Sequence, residues 1–305
     1  MLSINEQVHF SDNLDFFAKQ VVEGFLTGLH KSPYHGFSVE FAEHRLYNQG
    51  DPIKHVDWKL FGRSDKLFVK KFEEETNLRS FILLDTSSSM YFPEHKNNQI
   101  SKLEFSIFSS ASLMNLFLKQ RDGFGLTLYS ENLDFFTPAK CSKSHYNRLI
   151  AELDKLLVKP NDFIPKATNF HSSISNFIEK IPQRSLVIIF SDMMNFDNDD
   201  SYVESFQHLR HRKNEVLLFH VQDFNQEKLF NFSNRPHQFV DLENNQEVKL
   251  NPINFQETYR NLYDSFQKKI ELECNKYHIE YIPSFINDSF SKVLSAYLIK
   301  RSKLF

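Results

Sequence analysis

From Arg79 onward the sequence alternates short apolar runs with longer stretches whose apolar positions recur every three or four residues. Phe81 to Leu84, Ser185 to Met193 and Glu215 to Gln222 contain runs of strand formers without polar alternation, the pattern of strands buried on both faces of a parallel sheet. Between them, residues 101 to 121 place Leu103, Ile107, Ala111, Met114 and Leu118 on one helical stripe, broken by Asp122-Gly123. Tyr146, Leu149, Ile150, Leu153, Leu156 and Leu157 make a second helical face, and Ile174, Phe177, Ile178 and Ile181 a third. Gly125 to Ser130 and Leu133 to Pro138 read as paired strands around a Glu-Asn turn. A polar helix is expected over 199–213, a strand over Glu280 to Phe285 and a closing helix from Phe290 to Leu304. A long helix over 254–277 is predicted to carry Tyr259, Leu262, Phe266, Ile270 and Cys274 on its apolar side.

This rhythm predicts an α/β fold, a doubly wound, mostly parallel sheet with helices on both faces. Residues 225–252 interrupt it with an inserted hairpin, His237 to Asp241 and Glu247 to Leu250 flanking Glu-Asn-Asn-Gln. Ahead of the main domain at 79–305, residues 1–78 are expected to form a smaller segment packed on it. That segment opens with helical spacing at Leu14, Phe17, Val21, Val22, Phe25 and Leu29.

Composition narrows the function classes. The chain has 305 residues, 41% hydrophobic and 25% charged, the balance of a globular protein with a substantial core. With 36 basic against 39 acidic residues, the net charge of −3 gives no footprint for nucleic acid. Two cysteines, Cys141 and Cys274, are too few for a disulfide framework and favour a reducing compartment. The start lacks a signal-peptide pattern and no apolar run approaches a membrane span, so a cytoplasmic protein is the expectation. The 7 glycines make no phosphate-cradling loop, which excludes P-loop and Rossmann nucleotide binding.

The candidate chemistry begins where the first buried strand stops. Asp85, Ser87 and Ser89 place a carboxylate and two hydroxyls at alternate positions as the chain leaves the sheet. Hard oxygens there suit a hard divalent cation, Mg²⁺ first, and they equally suit an ordinary polar turn. Two distant segments add donors: Thr168, ahead of the third helical face, and Asp192, at the end of another buried strand. In an open α/β sheet, sites form outside the carboxyl ends of the strands, so Asp85 and Asp192 meet if their strands are neighbours. Asp-x-Ser-x-Ser, a remote Thr and a later strand ending in Ser-Asp resemble the metal-ion-dependent adhesion site of von Willebrand factor A domains. The resemblance implies direct ligation of Mg²⁺, or of Mn²⁺ or Ca²⁺, by Ser87, Ser89 and sometimes Thr168, with Asp85 and Asp192 acting mostly through waters.

The preceding region carries a second resemblance. Gly36, Glu40-Phe41, Arg45, Tyr47, Gly50-Asp51, Asp57-Trp58, Arg63, Leu67, Val69-Lys70 and Glu73 to Glu75 are similar to a bacterial family known as domain of unknown function fifty-eight. Arg45, Asp51, Asp57, Trp58 and Arg63 read as a structural motif, because buried Arg–carboxylate pairs usually fix geometry. Three departures stand out: Lys54 where the family commonly has Arg, Gly62 where Ala is usual, and Lys166-Ala167 in place of the glycines that often precede the Thr. The family's company implies an adaptor working with a MoxR-type AAA+ ATPase, the partner supplying a Glu or Asp to the cation.

Catalysis is the rival class. Position 87 is Ser where a phosphatase with an Asp85 nucleophile wants a second carboxylate, and no Gly-x-Ser-x-Gly or His-Glu-x-x-His occurs. A non-enzymatic binding protein is the expectation, with a metal-dependent hydrolase and a structural scaffold carrying a vestigial site as alternatives.

Overall fold

The computed structural model describes residues 13–30, 44–46, 62, 68–70, 78–93, 99–158, 165–194 and 201–302. The chain divides into two compact units, Leu26–Asn77, and Met1–Phe25 with Leu78–Phe305. In the first unit, β1 (His44–Leu46) pairs antiparallel with β2 (Phe68–Lys70), Arg45 opposite Val69. Arg45 thus falls on a strand, whereas Asp51, Asp57, Trp58 and Arg63 lie outside the described residues.

In the second unit, six described strands form one sheet: β3 (Arg79–Asp85), β4 (Gly123–Tyr129), β5 (Leu133–Phe136), β6 (Leu186–Ser191), β7 (Glu215–Gln222) and β10 (Glu280–Phe285). Their spatial order is β10-β7-β6-β3-β4-β5, and only the β4–β5 pairing is antiparallel. The remaining described strands, β8 (His237–Val240) and β9 (Glu247–Leu250), pair with each other as the expected hairpin. The chain leaves β3 toward β4 on one side and returns to β6 on the other. The switch point of the winding therefore lies between the carboxyl ends of β3 and β6.

Seven helices among the described residues surround this frame: α1 (Leu14–His30), α2 (Lys102–Gln120), α3 (Lys143–Leu157), α4 (Phe170–Lys180), α5 (Ser201–His211), α6 (Gln256–Lys276) and α7 (Phe290–Ser302). Phe81, Leu83, Val187, Ile189, Val216 and Leu218 bury one sheet face against Ile174, Phe177, Phe206 and Ile270 of α4, α5 and α6. Ile82 and Leu84 take the opposite face by strand alternation, where α2 lies against α3 and α7. Gly125 is required on β4 because a Cβ there would meet the Thr137 carbonyl oxygen at 2.5 Å.

Two elements differ from the periodicity. Helix α2 is buried nearly all round, its polar Ser106, Ser109, Ser110, Ser112 and Asn115 included, where the sequence suggests a single stripe. It is enclosed by the sheet and by other helices. On α6, Leu262 is 66% exposed and Tyr263 is buried. Both Leu262 and Tyr263 fit a three-or-four spacing, but Tyr259, Tyr263, Phe266, Ile270 and Cys274 fall within about 80° of helix arc and Leu262 lies about 40° outside its edge.

Candidate metal centre

Strand β3 delivers Asp85 to the switch point fully buried, beside Ser191 at the end of β6. The Ser191 hydroxyl donates to Asp85 Oδ2 at 2.8 Å and the Ser87 amide to Oδ1 at 3.0 Å. Burial foremost, and then the charge of Asp192, pushes the Asp85 carboxyl up to about 7, although both hydrogen bonds oppose the rise. Ser87 is buried, and its Oγ lies 3.1 Å from Ser89 Oγ at the start of a short 3₁₀ turn. The intervening Ser88 turns away and is clasped by Lys166: the Lys166 amide donates to Ser88 Oγ at 2.7 Å and the Ser88 amide to the Lys166 carbonyl at 2.9 Å. This double contact brings the loop carrying Thr168 against the Asp85 turn without the glycines common in the family.

Thr168 itself donates to Glu243 Oε1 at 3.3 Å, a residue of the β8–β9 turn. The next two positions fix it from behind, Asn169 capping α4 through Ser172 and Phe170 buried as the first residue of that helix. Thr168 also lines an open cleft of about 500 Å³ together with Glu131, Asn132, Ala167 and Asn169.

Asp192 follows β6 and is 3% exposed. Its Oδ2 accepts from Lys102 Nζ at 2.7 Å, and the same ammonium donates to Glu227 Oε1 at 2.5 Å. Burial alone would lower the Lys102 pKa, but the two carboxylates hold it above its usual value. Lys102 opens α2, just after the Ser101–Glu104 capping box. A positive charge at a helix amino end opposes the helix dipole, so the carboxylates are what make this burial tolerable.

His220 of β7 completes the surroundings. Its Nε2 donates to the Asp192 carbonyl at 2.9 Å, which leaves Nδ1 to accept from the Tyr281 hydroxyl and the Gln222 amide, each at 2.7 Å. The two bonds accepted at Nδ1 require the neutral ring, and burial lowers its pKa from 6.5 to about 4. The unfolded ring takes up a proton near 6.5 and the folded ring resists down to about 4, so stability is full above the first value and is lost as pH falls toward the second. The His220 share of that loss is roughly 3 kcal/mol, while Asp85, raised to about 7, adds the opposite dependence over much of the same range. Denaturant unfolding of wild type and His220→Gln at several pH values isolates the His220 share as the pH dependence of their difference, the wild-type advantage shrinking as pH falls.

The structure thus gathers Asp85, Ser87, Ser89 and Asp192 at the ends of two neighbouring strands, and ties the Thr168 loop to the same turn through Lys166. It gives Ser191, the Ser of the Ser-Asp strand end, a direct bond to Asp85, and adds partners with no motif of their own: Lys102, Glu227, His220 and Glu243. The Ser101-Lys-Leu-Glu104 capping pattern is visible in the sequence and places Lys102 in a first helical turn, but nothing local signals its burial.

The donor set fits a hard cation. Octahedral Mg²⁺ with oxygens at about 2.0–2.1 Å has neighbouring ligands about 2.9 Å apart, close to the separation of the Ser87 and Ser89 hydroxyls. Thr168 spends its proton on Glu243 and keeps lone pairs for a metal. Among the described residues no three His, Cys, Asp or Glu side chains gather as a metal-holding group, so a cation here depends on hydroxyl oxygens.

Strand order, the antiparallel edge strand and Asp-x-Ser-x-Ser at the switch point define a von Willebrand factor A-like α/β domain. Within that class, the chain belongs to the family described as Protein of unknown function DUF58, whose model matches residues 43–271. Uncharacterized protein Rv1480 of Mycobacterium tuberculosis is 30% identical over 79 residues, 26% of this chain and 25% of that protein. YeaD of Bacillus subtilis is 28% identical over 123 residues, 40% of this chain and 28% of its own length. The chain thus spans about a quarter of the length of the curated relatives it matches. Among solved structures, BatB from Bacteroides thetaiotaomicron is similar with a TM-score of 0.47 and 14% identity, covering 74% of this chain and 99% of that one. The SpRpn10 VWA domain has a TM-score of 0.38 and 10% identity, covering 71% and 93%. Among the described residues, no helix is long and apolar enough to cross a membrane.

Proposed function

We propose that this protein is a non-enzymatic, divalent-cation-dependent protein-binding module. The observation that carries the reading is the pair of Ser87 and Ser89 hydroxyls, 3.1 Å apart beside buried Asp85 at the switch point. Ser87, Ser89 and Thr168 would hold Mg²⁺, with Asp85 and Asp192 orienting its waters. The cation would supply a positive charge that neutral hydroxyls leave poorly balanced. A Glu or Asp from another protein is the ligand that balances it. By kinship, the partner proposed is a MoxR-type AAA+ ATPase and the setting is the cytoplasm.

Thermal unfolding during Mg²⁺ titration tests the site. At a hundred times the dissociation constant, a specific cation should stabilise the wild type by about 2.7 kcal/mol, and Asp85→Asn should remove that gain. Capture of the ATPase by the immobilised wild-type chain should be lost in EDTA. Equal melting of wild type and variant at every Mg²⁺ concentration, with EDTA-resistant capture, would reject the reading. A scaffold that needs no cation is the second reading, and it draws on Lys102, which already gives Asp192 a positive partner at 2.7 Å. It expects no response to Mg²⁺.

A further inference from the structure

The β8–β9 hairpin interrupts the α/β rhythm, and its turn reaches a predicted metal ligand. Glu243 Oε1 accepts from the Thr168 hydroxyl across 75 positions of sequence. The turn presenting this carboxylate is locked by its own backbone. The Glu243 amide donates to Asp241 Oδ1 and the Gln246 amide to Asn244 Oδ1, each at 2.8 Å, while Asn245 adopts the left-handed conformation at φ 58°. The hairpin rests on aromatic rings through Phe239, paired with Val248 and one position short of the turn-flanking pair, lying 5.5 Å from Phe230, which in turn stacks at 4.2 Å on Tyr259 of α6. β8 and β9 pair with no other described strand, and Val240 and Val248 are exposed. A lone two-stranded hairpin is marginal by itself, so the turn past Phe239 can lift at modest cost while the strands stay in place.

A carboxylate is the ligand class that a hydroxyl-held cation lacks. We infer that Glu243 is the resting protein's own anionic ligand: the hairpin tip closes over the Thr168 side of the site, and a partner's carboxylate has to displace it. The inference rests on the reading of Asp85, Ser87, Ser89, Thr168 and Asp192 as a cation site. A tethered ligand acts at an effective concentration in the millimolar range, which sets a threshold that a weak or chance acidic peptide does not cross. The hairpin then serves as a selectivity filter for partners.

Mn²⁺ tests this on the full chain, because water-proton relaxation reports both its affinity and the number of exchangeable waters it keeps. Glu243→Gln retains an acceptor for Thr168 and should fold normally. Glu243→Ala removes the acceptor and controls for any ligation by the amide. Both variants are expected to bind Mn²⁺ about 3- to 10-fold more weakly than wild type and to show one additional exchangeable water. Asp85→Asn should abolish specific binding. If wild type and both Glu243 variants bind Mn²⁺ with the same affinity and the same water count, the role of Glu243 is overturned and the cation site stands. If the wild type binds no Mn²⁺, the cation reading itself falls and takes this inference with it.

Discussion

A Lys102→Met variant is expected to lose about 3–5 kcal/mol of folding free energy, the usual consequence of removing one partner from a buried ion cluster. Lys102 is 1% exposed, and its ammonium is shared by Asp192 and Glu227. Methionine fills much of the same volume, so the loss comes from charge: two carboxylates are left facing each other in a site closed to water. For a domain of this size the melting temperature should fall by roughly 6–20 °C. The pH dependence separates this cause from poor packing. Burial already raises the Glu227 pKa in the wild type, and without the ammonium that opposes it the rise is larger. Stability conferred by a raised pKa is present at low pH and lost as pH rises, so the deficit of the variant should shrink as pH falls. A deficit that is small, or constant with pH, would show that the cluster is not held by charge.

Phe170→Ala is expected to cost about 3–5 kcal/mol and also to weaken the candidate site. The ring is fully buried, stacks on Tyr202 of α5 at 4.6 Å and 7°, and meets Phe206 and Tyr129 edge-on. Tyr129 is the strand partner of Asp85, so this aromatic cluster joins the base of the Thr168 loop to the end of β3. Deleting the ring leaves a cavity directly behind Asn169 and Thr168. Chemical denaturation measures the first effect. Mg²⁺ titration well below the melting temperature measures the second, and Phe170→Leu, which keeps the burial apolar, should recover most of both. Lost stability with unchanged Mg²⁺ affinity would mean that the loop is positioned by Lys166 and Ser88 alone.

The parts of this protein that were legible in sequence are those governed by local periodicity. Unalternated apolar runs identified β3, β6 and β7, and the three-and-four spacing identified the helices, because burial on two faces or on one stripe leaves a regular trace. The hairpin was legible from its turn. The same logic reached Asp85, Ser87, Ser89 and Asp192, since ends of buried parallel strands converge at one edge of a sheet. It failed where a position's environment is set by distant elements. Leu262 fits an apolar helical spacing as well as Tyr263 does and is exposed, because the buried face of α6 runs through Tyr263.

By itself, then, the sequence determined the order and type of the elements and the oxygen donors that β3 and β6 carry to their ends. Periodicity is a property of neighbours along the chain. The tertiary structure alone decided that Lys102 lies buried between Asp192 and Glu227, which stand 90 and 125 positions away, and that Glu243 meets Thr168. Charge pairing in a dry interior depends on which surfaces the packed sheet and helices bring face to face, and no repeat or local spacing encodes that.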